Sequence, residues 1–292
     1  GHLNMSVCMT ERDNFMANFV EALKVIFLGI VEGITEWLPI SSTGHMLLVD
    51  QFLQLNESQD FKDMFFVVIQ LGAIMAVVLL FWNKMWPFKR SVNNKIEVRK
   101  DVFSIWLKVV VACVPGAVIT LLFDDYIEAH FQTPEVIASA LILYGIAFIL
   151  IEIFNRKRKP KIETINDITY MTAFLIGLFQ VLSIIPGTSR SGSTIIGALL
   201  IGVSRVAAAE FTFFLAVPVM FGLSAIKIIK FGFGFTALEL CITLLGMLVA
   251  FVVSLIVVKF LMNYIRKHDF KVFGWYRIIL GVVILIYFYL IA

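Results

Sequence analysis

Two stretches of the sequence contain most of the polar residue types that could do chemistry. The first runs from Glu32 to His45 and reads EGITEWLPISSTGH, and the second runs from Gln180 to Thr194 and reads QVLSIIPGTSRSGST. Each has a proline, then a cluster of hydroxyl side chains, then a glycine. Both lie among apolar runs, where ionisable groups are costly and mark functional sites. We therefore predict that the two stretches form one anion-binding site inside a membrane.

The two carboxylates of the first stretch are spaced for joint action. Glu32 and Glu36 are four residues apart, so they share one helix face. Like charges in this position repel each other unless a cation lies between them. Mg²⁺ or Ca²⁺ suits such hard oxygen ligands, and Mg²⁺ commonly joins one or two carboxylates to phosphate oxygens. A protonated, packed pair and a pairing with Arg190 are the alternatives.

The hydroxyl cluster after Pro39 lies where a short helix is expected to begin. Ser41, Ser42 and Thr43 suit N-capping, and the free N–H groups of a helix N-terminus also bind phosphate. Ser42 and His45 are three residues apart and share a helix face, so a hydroxyl and an imidazole can approach one phosphorus atom. The alternative for His45 is a neutral packed residue.

Arg190 is the strongest single signal of the second stretch. Its planar guanidinium matches phosphate oxygens and stays charged when buried. The neighbouring serines and glycines favour a loop that curls around a ligand, whereas a structural pairing with Glu32 or Glu36 is the alternative. The predicted substrate-binding set beside it is Ser41, Thr43, Gly187, Thr188, Ser189, Ser191 and Thr194.

The composition excludes a soluble domain. Of 292 residues, 60% are hydrophobic and 15% are charged, and the mean hydropathy is +0.93, as expected of a polytopic membrane protein. The three cysteines show no paired spacing and are expected to be small packed residues. Trp37 is expected to face lipid or the membrane interface. Residues 1–15 are interpreted as an expression scar with a flexible N-terminus, and residues 16–292 as a single membrane domain.

Ten apolar segments follow one another, and lipid requires all of them to be helical. Two of them rise only about 17 Å, against a hydrocarbon core of about 30 Å, so we interpret each with its proline-broken predecessor as a re-entrant hairpin. The predicted fold is all-α, with two inverted-topology repeats (about 17–154 and 168–292), each a re-entrant hairpin plus three transmembrane helices. The predicted segments are Phe19–Leu38, Thr43–Leu53, Met64–Trp82, Phe103–Phe123, Pro134–Phe154, Ile168–Ile185, Ser193–Val203, Ala209–Ile229, Leu238–Met262 and Val272–Ile291.

The distribution of charge supports this topology. Lysine and arginine concentrate in segments 83–102, 155–167 and 263–271, whereas the predicted loop 124–133 has neither and contains three acidic residues. With two hairpins and six spans, every basic segment falls on one face, which the positive-inside rule makes cytoplasmic. Both termini are then expected outside.

The motifs EGITEWLPISSTGH and PGTSRSGST closely resemble the two signature motifs of the bacterial undecaprenyl-diphosphatase family, also called bacitracin-resistance proteins. The resemblance covers residues from about 18 to 292. It implies a phosphatase of the bacterial cell membrane that recycles the lipid carrier for peptidoglycan synthesis, uses a divalent cation and opens its site to the outer face. The implied functional and catalytic positions are Glu32, Glu36, Ser42, His45 and Arg190. We expect both glutamates to hold the metal or a water, and a general base is the alternative role for one of them.

Several points stay open from the sequence. The nucleophile is Ser42 activated by His45, His45 itself, or a metal-bound water. The alternative function is a secondary transporter or lipid flippase for a phosphate-bearing substrate, because inverted repeats with broken helices are transporter architecture. The expected partners are the polyprenyl diphosphate and membrane lipid, with no nucleic acid, and a homodimer is left open.

Overall fold

The structure, a computed structural model, describes residues 2–90, 96–232 and 234–291, with side chains except those of 2–17, 124, 125, 128 and 291. Helices make up most of it, and one short β-hairpin joins two of them. The helices are α1 (His2–Thr35), α2 (Ser42–Phe52), α3 (Gln59–Leu80), α4 (Trp82–Met85), α5 (Lys100–Phe131), α6 (Pro134–Asn155), α7 (Tyr170–Val181), α8 (Arg190–Ile201), α9 (Arg205–Phe231), α10 (Ala237–Ile265) and α11 (Lys271–Ile286).

Six helices within the described ranges are long and apolar enough to cross a membrane: α3, α5, α6, α9, α10 and α11. They correspond to the six long segments expected from the sequence, so the prediction of an all-α polytopic membrane protein is confirmed. By contrast, α2 and α8 have only 11 and 12 residues. At 1.5 Å per residue, neither is long enough to span the hydrocarbon core.

Some element boundaries differ from the sequence-based ones. The prediction of a loop at residues 124–133 is wrong over most of its length, because α5 continues to Phe131. Residues 124–131 lack glycine and proline, so nothing in them ends the helix.

The segment between α4 and α5 contains an unpredicted antiparallel hairpin of β1 (Phe88–Arg90) and β2 (Ile96–Val98), while residues 91–95 lie outside the described ranges. The helix α1 begins at His2, and the assignment of residues 1–15 to an expression scar stays a prediction.

Residues 36–41 between α1 and α2 form the first helix break, and residues 182–189 between α7 and α8 form the second. Both breaks have local causes. A residue that precedes proline is pushed out of the helical region, so a helix tends to end before it. The helix α7 ends at Val181, and a 3₁₀ turn leads to Ile185, which is extended (ψ 119°) directly before Pro186. The helix α1 ends at Thr35, four residues before Pro39. Each break exposes backbone groups in the protein interior, and those groups need partners.

The helices pack closely enough to hold these breaks in place. α11 packs along α6, α10 packs along α3 and α1, and α5 packs along α7. At the α3–α10 contact a Cβ on Gly72 would lie 2.0 Å from the carbonyl oxygen of Met247. Only glycine permits this approach, as is common between membrane helices.

The expectation for Trp37 is wrong. Its side chain is fully buried and meets Phe213 of α9 edge to face, with ring centroids 5.3 Å apart. The residue belongs to the first helix break, and there its ring turns into the protein and not toward lipid. Its large apolar surface therefore fixes the break against α9.

Candidate active site

The short helices α2 and α8 begin in the same way. Ser41 and Ser189 are their N-caps, and both have a left-handed backbone (φ 73° and 70°). Each serine hydroxyl accepts a hydrogen bond from a glycine N–H three residues later, at 3.4 Å from Gly44 and 3.3 Å from Gly192. Left-handed residues other than glycine are strained and cluster at functional sites. The two breaks therefore share one local design.

A single carboxylate, that of Glu36, connects the two breaks. One of its oxygens accepts from the Arg190 guanidinium at 3.1 Å, and the other accepts from the Ser42 hydroxyl at 3.3 Å. Ser42 and Arg190 are the first residues of α2 and α8. The Ser191 hydroxyl also donates to the backbone oxygen of Glu36. The structure thus brings three of the five predicted catalytic residues into one hydrogen-bonded group.

Glu32 lies next to this group but has a different environment. Its side chain is 1% exposed, and its Oε1 has no hydrogen-bond partner among the described residues. It interacts with Glu36, and the guanidinium of Arg190 forms its ion pair with Glu36 at 3.1 Å. A buried oxygen without a donor is unfavourable unless a proton or a cation supplies the missing interaction.

The oxygen atoms at this point suit a divalent cation. Glu32 and Glu36 offer hard carboxylate oxygens, and Ser42 beside Glu36 offers a hydroxyl, which are ligand types that Mg²⁺ and Ca²⁺ accept. Within the described part of the chain, no three histidine, cysteine, aspartate or glutamate side chains lie together so that they could hold a metal ion. An ion bound by Glu32 and Glu36 would therefore need further ligands from outside the described part of the chain.

The ring nitrogens of His45 bond groups other than the Ser42 hydroxyl. Its Nδ1 lies 2.7 Å from the carbonyl oxygen of Ser41, and its Nε2 lies 2.7 Å from the hydroxyl of Tyr276 on α11. The predicted approach of Ser42 and His45 is thus replaced by two separate pairs, Ser42 with Glu36 and His45 with Tyr276.

The predicted substrate-binding residues divide into two groups. Thr43 is exposed and Ser189 is partly exposed. The others are buried, and their polar groups bond within the fold: the Thr188 hydroxyl donates to two carbonyl oxygens of the second break, and the Thr194 hydroxyl bonds the backbone of α8 and Thr212 of α9. The buried members are Ser41, Gly187, Thr188, Ser191 and Thr194.

Helix α9 supports Arg190. The carbonyl oxygen of Thr212 accepts from the Arg190 guanidinium at 3.2 Å, on the opposite nitrogen from the one that binds Glu36. The guanidinium is thereby held at both ends. Because arginine donates through a fixed planar fork, this contact sets the direction of its remaining donors.

Arg277 of α11 is an important residue that the sequence reasoning missed. It is fully buried, and its guanidinium donates to the carbonyl oxygen of Pro39 at 3.1 Å and to those of Gly187 and Thr188 at 2.7 and 2.9 Å. These carbonyls belong to the first and second breaks, so one side chain links both. The sequence contains a signal for it, because Arg277 is a lone arginine within an otherwise apolar segment. Ionisable groups at membrane depth mark functional sites, and the same rule identified Glu32.

Replacing Arg277 by methionine should destabilise the protein strongly. Three buried carbonyl groups would lose their donor, which costs on the order of 3 kcal/mol or more. We expect a clearly lower midpoint of thermal unfolding in detergent, followed by tryptophan fluorescence. Arg266→Met is the matched control, because Arg266 is exposed in the turn before α11. Equal midpoints for the two variants would contradict the role given to Arg277.

Comparison with known proteins identifies the family of this chain. The family described as bacitracin resistance protein BacA matches residues 25–283. A relative from Enterococcus faecalis, named undecaprenyl-diphosphatase, is 68% identical over 92% of this chain and 98% of its own length. Relatives of the same name from Lachnoclostridium phytofermentans and Desulfitobacterium hafniense are 62% and 60% identical over 94% and 92% of this chain, and 99% and 96% of their own lengths. The chain belongs to the bacitracin resistance protein BacA family, a family of multi-pass bacterial membrane proteins.

Proposed function

We propose that this protein hydrolyses undecaprenyl diphosphate to undecaprenyl phosphate and inorganic phosphate. This activity returns the lipid carrier to peptidoglycan synthesis and confers bacitracin resistance. The observation that carries the proposal is the Glu36 carboxylate, which joins Ser42 and Arg190 where the N-termini of two short helices meet. The names of the relatives support the same substrate.

The site contains what phosphoryl transfer requires. Such reactions depend mainly on positioning and on stabilisation of charge at the phosphate oxygens. Arg190 supplies a guanidinium, and α2 and α8 supply helix N-termini that favour anions. A divalent cation, Mg²⁺ or Ca²⁺, held by Glu32 and Glu36 would neutralise diphosphate charge when bound. The apolar outer faces of the spans suit the polyprenyl tail.

We assign the nucleophile to Ser42 and its proton acceptor to Glu36, because these two groups are in contact. A diphosphate oxygen that binds Arg190 competes with Glu36 for the guanidinium, which makes Glu36 a better base. The Ser42 oxygen then bonds to the terminal phosphorus, the bond to the bridging oxygen breaks, and undecaprenyl phosphate leaves. The serine proton is transferred to Glu36.

The second step returns the site to its starting state. A water oxygen attacks the phosphoserine phosphorus and gives a proton to Nε2 of His45. The bond between phosphorus and Ser42 breaks, inorganic phosphate leaves, and the serine oxygen takes back the proton held by Glu36. His45 then releases its proton to solvent. General acid–base groups of this kind typically contribute 10²–10⁴-fold to a rate.

Phosphate release from undecaprenyl diphosphate by the purified protein tests this function. We expect metal-dependent release that EDTA abolishes, and losses on the order of 10²-fold or more for both Arg190→Ala and Ser42→Ala. Arg158→Ala is the control, because Arg158 is exposed and its guanidinium lies over the ring of Phe154. If folded wild type with Mg²⁺ or Ca²⁺ releases no phosphate, the phosphatase proposal is wrong and transport of the lipid becomes the better one.

For the topology we propose two inverted repeats, each with a re-entrant hairpin, and a site open to the outer face. The matching caps at Ser41 and Ser189 support the repeat, and the shortness of α2 and α8 supports re-entry. The positions of the basic segments support the orientation. The homodimer stays a prediction.

Labelling of single cysteines in intact cells tests the topology. In a background without the native cysteines, Gln132→Cys between α5 and α6 should react with a membrane-impermeant maleimide. Lys157→Cys and Lys267→Cys should react only after permeabilisation, because both are proposed to lie on the cytoplasmic face. They share that face because an even number of membrane crossings separates the two positions. Labelling of Lys267→Cys in intact cells would show that the second hairpin crosses the membrane, contrary to the proposal.

A further inference from the structure

The contact between His45 and Tyr276 belongs to no motif of the sequence. The tyrosine hydroxyl lies 2.7 Å from Nε2, and the two residues are 231 positions apart in the chain. Their rings are nearly parallel, with an interplanar angle of 9° and centroids 5.5 Å apart. Tyr276 is 44% exposed, so this contact lies at an accessible edge of the site.

The hydrogen bonds of His45 determine which of its nitrogens is free to react. Nδ1 lies 2.7 Å from the backbone oxygen of Ser41, and a carbonyl oxygen can only accept. Nδ1 therefore carries the proton of the neutral imidazole, and Nε2 is the acceptor. The Tyr276 hydroxyl must then donate to Nε2. The tyrosine thus holds the one nitrogen through which His45 can take up a proton.

This arrangement differs from the other tyrosine–histidine pairs of the described chain. His130 stacks on Tyr126 and His268 stacks on Tyr264, in each case four residues along the chain. Their ring nitrogens bond the backbone oxygen of the same tyrosine, not its hydroxyl. At the site, by contrast, a tyrosine hydroxyl on another helix donates a hydrogen bond to the imidazole. This bond distinguishes the pair of His45 and Tyr276 from ordinary local stacking.

The segment of α11 that contains Tyr276 is held in a fixed position. Its neighbour Arg277 is fully buried and bonds the carbonyl oxygens of both helix breaks. The backbone of α11 at this point is therefore anchored to the same structure that carries the site. A hydroxyl on this anchored segment holds the imidazole ring at a fixed distance and angle.

We propose that Tyr276 is the positioning residue of His45 and fixes Nε2 for the proton transfer that completes hydrolysis. The bond orients the imidazole ring in the free protein, and the attacking water takes the place of the hydroxyl on Nε2 during the transfer. The protonated Nε2 then donates to the tyrosine oxygen, so the contact re-forms in the opposite direction and stabilises the imidazolium. The catalytic part of this inference rests on the proposed phosphatase function, whereas the contact itself does not.

Chemical modification of His45 tests the contact without any need for activity. Diethyl pyrocarbonate acylates an unprotonated imidazole nitrogen, and the modified residue is identified by mass spectrometry. We expect about three- to tenfold faster acylation of His45 in Tyr276→Phe than in wild type, the range of one net hydrogen bond. Tyr264→Phe is the control and should leave His45 unchanged. Equal rates for His45 in wild type and Tyr276→Phe would overturn the proposal.

Kinetics test the consequence. Tyr276→Phe keeps the ring and loses the hydroxyl, so kcat should fall about three- to tenfold, with KM within about twofold. In a His45→Gln background the same substitution should have no further effect, because coupled residues are not additive. Full additivity of the two losses would show a merely structural role for Tyr276 and overturn the proposal. Failure of wild type to release phosphate would instead refute the proposed function and leave the acylation result to decide the contact.

Discussion

The site depends on one buried charge, the carboxylate of Glu36. An ionised carboxylate in an apolar interior is very unfavourable unless it is paired and hydrogen-bonded. Here the guanidinium of Arg190 and the hydroxyl of Ser42 compensate it, and these two residues begin different short helices. Satisfying this charge therefore requires both helix breaks to meet. The requirement couples the local chemistry to the arrangement of the whole bundle.

The surrounding helices α9 and α11 hold Arg190 and the two helix breaks in place. Thr212 of α9 binds the far end of the Arg190 guanidinium, and Arg277 of α11 holds carbonyl oxygens of both breaks. The left-handed serines at 41 and 189 are strained conformations that persist because the packing around them leaves no alternative. A diphosphate thus meets donors whose positions are already set, which is the condition for electrostatic stabilisation of a transition state.

The sequence predicts the parts of this structure that depend on local patterns. Lipid requires long apolar helices, so the six spans follow from composition, and prolines next to hydroxyl clusters mark the two breaks. It does not predict contacts that depend on tertiary packing. Tyr276 and Arg277 stand alone on α11, without a motif, and their partners lie more than 85 positions away. The inward turn of Trp37 likewise depends on α9, a helix that its own neighbourhood in the chain does not reveal.

The most direct test of the account is an experimental structure of the protein with a non-hydrolysable methylene-bridged analogue of the lipid diphosphate. We expect the terminal phosphonate to bind the Arg190 guanidinium and to lie in line with the Ser42 hydroxyl, so that both helix breaks contact one ligand. A phosphonate bound at only one break, or away from Glu36, would contradict the claim that the two breaks form a single site.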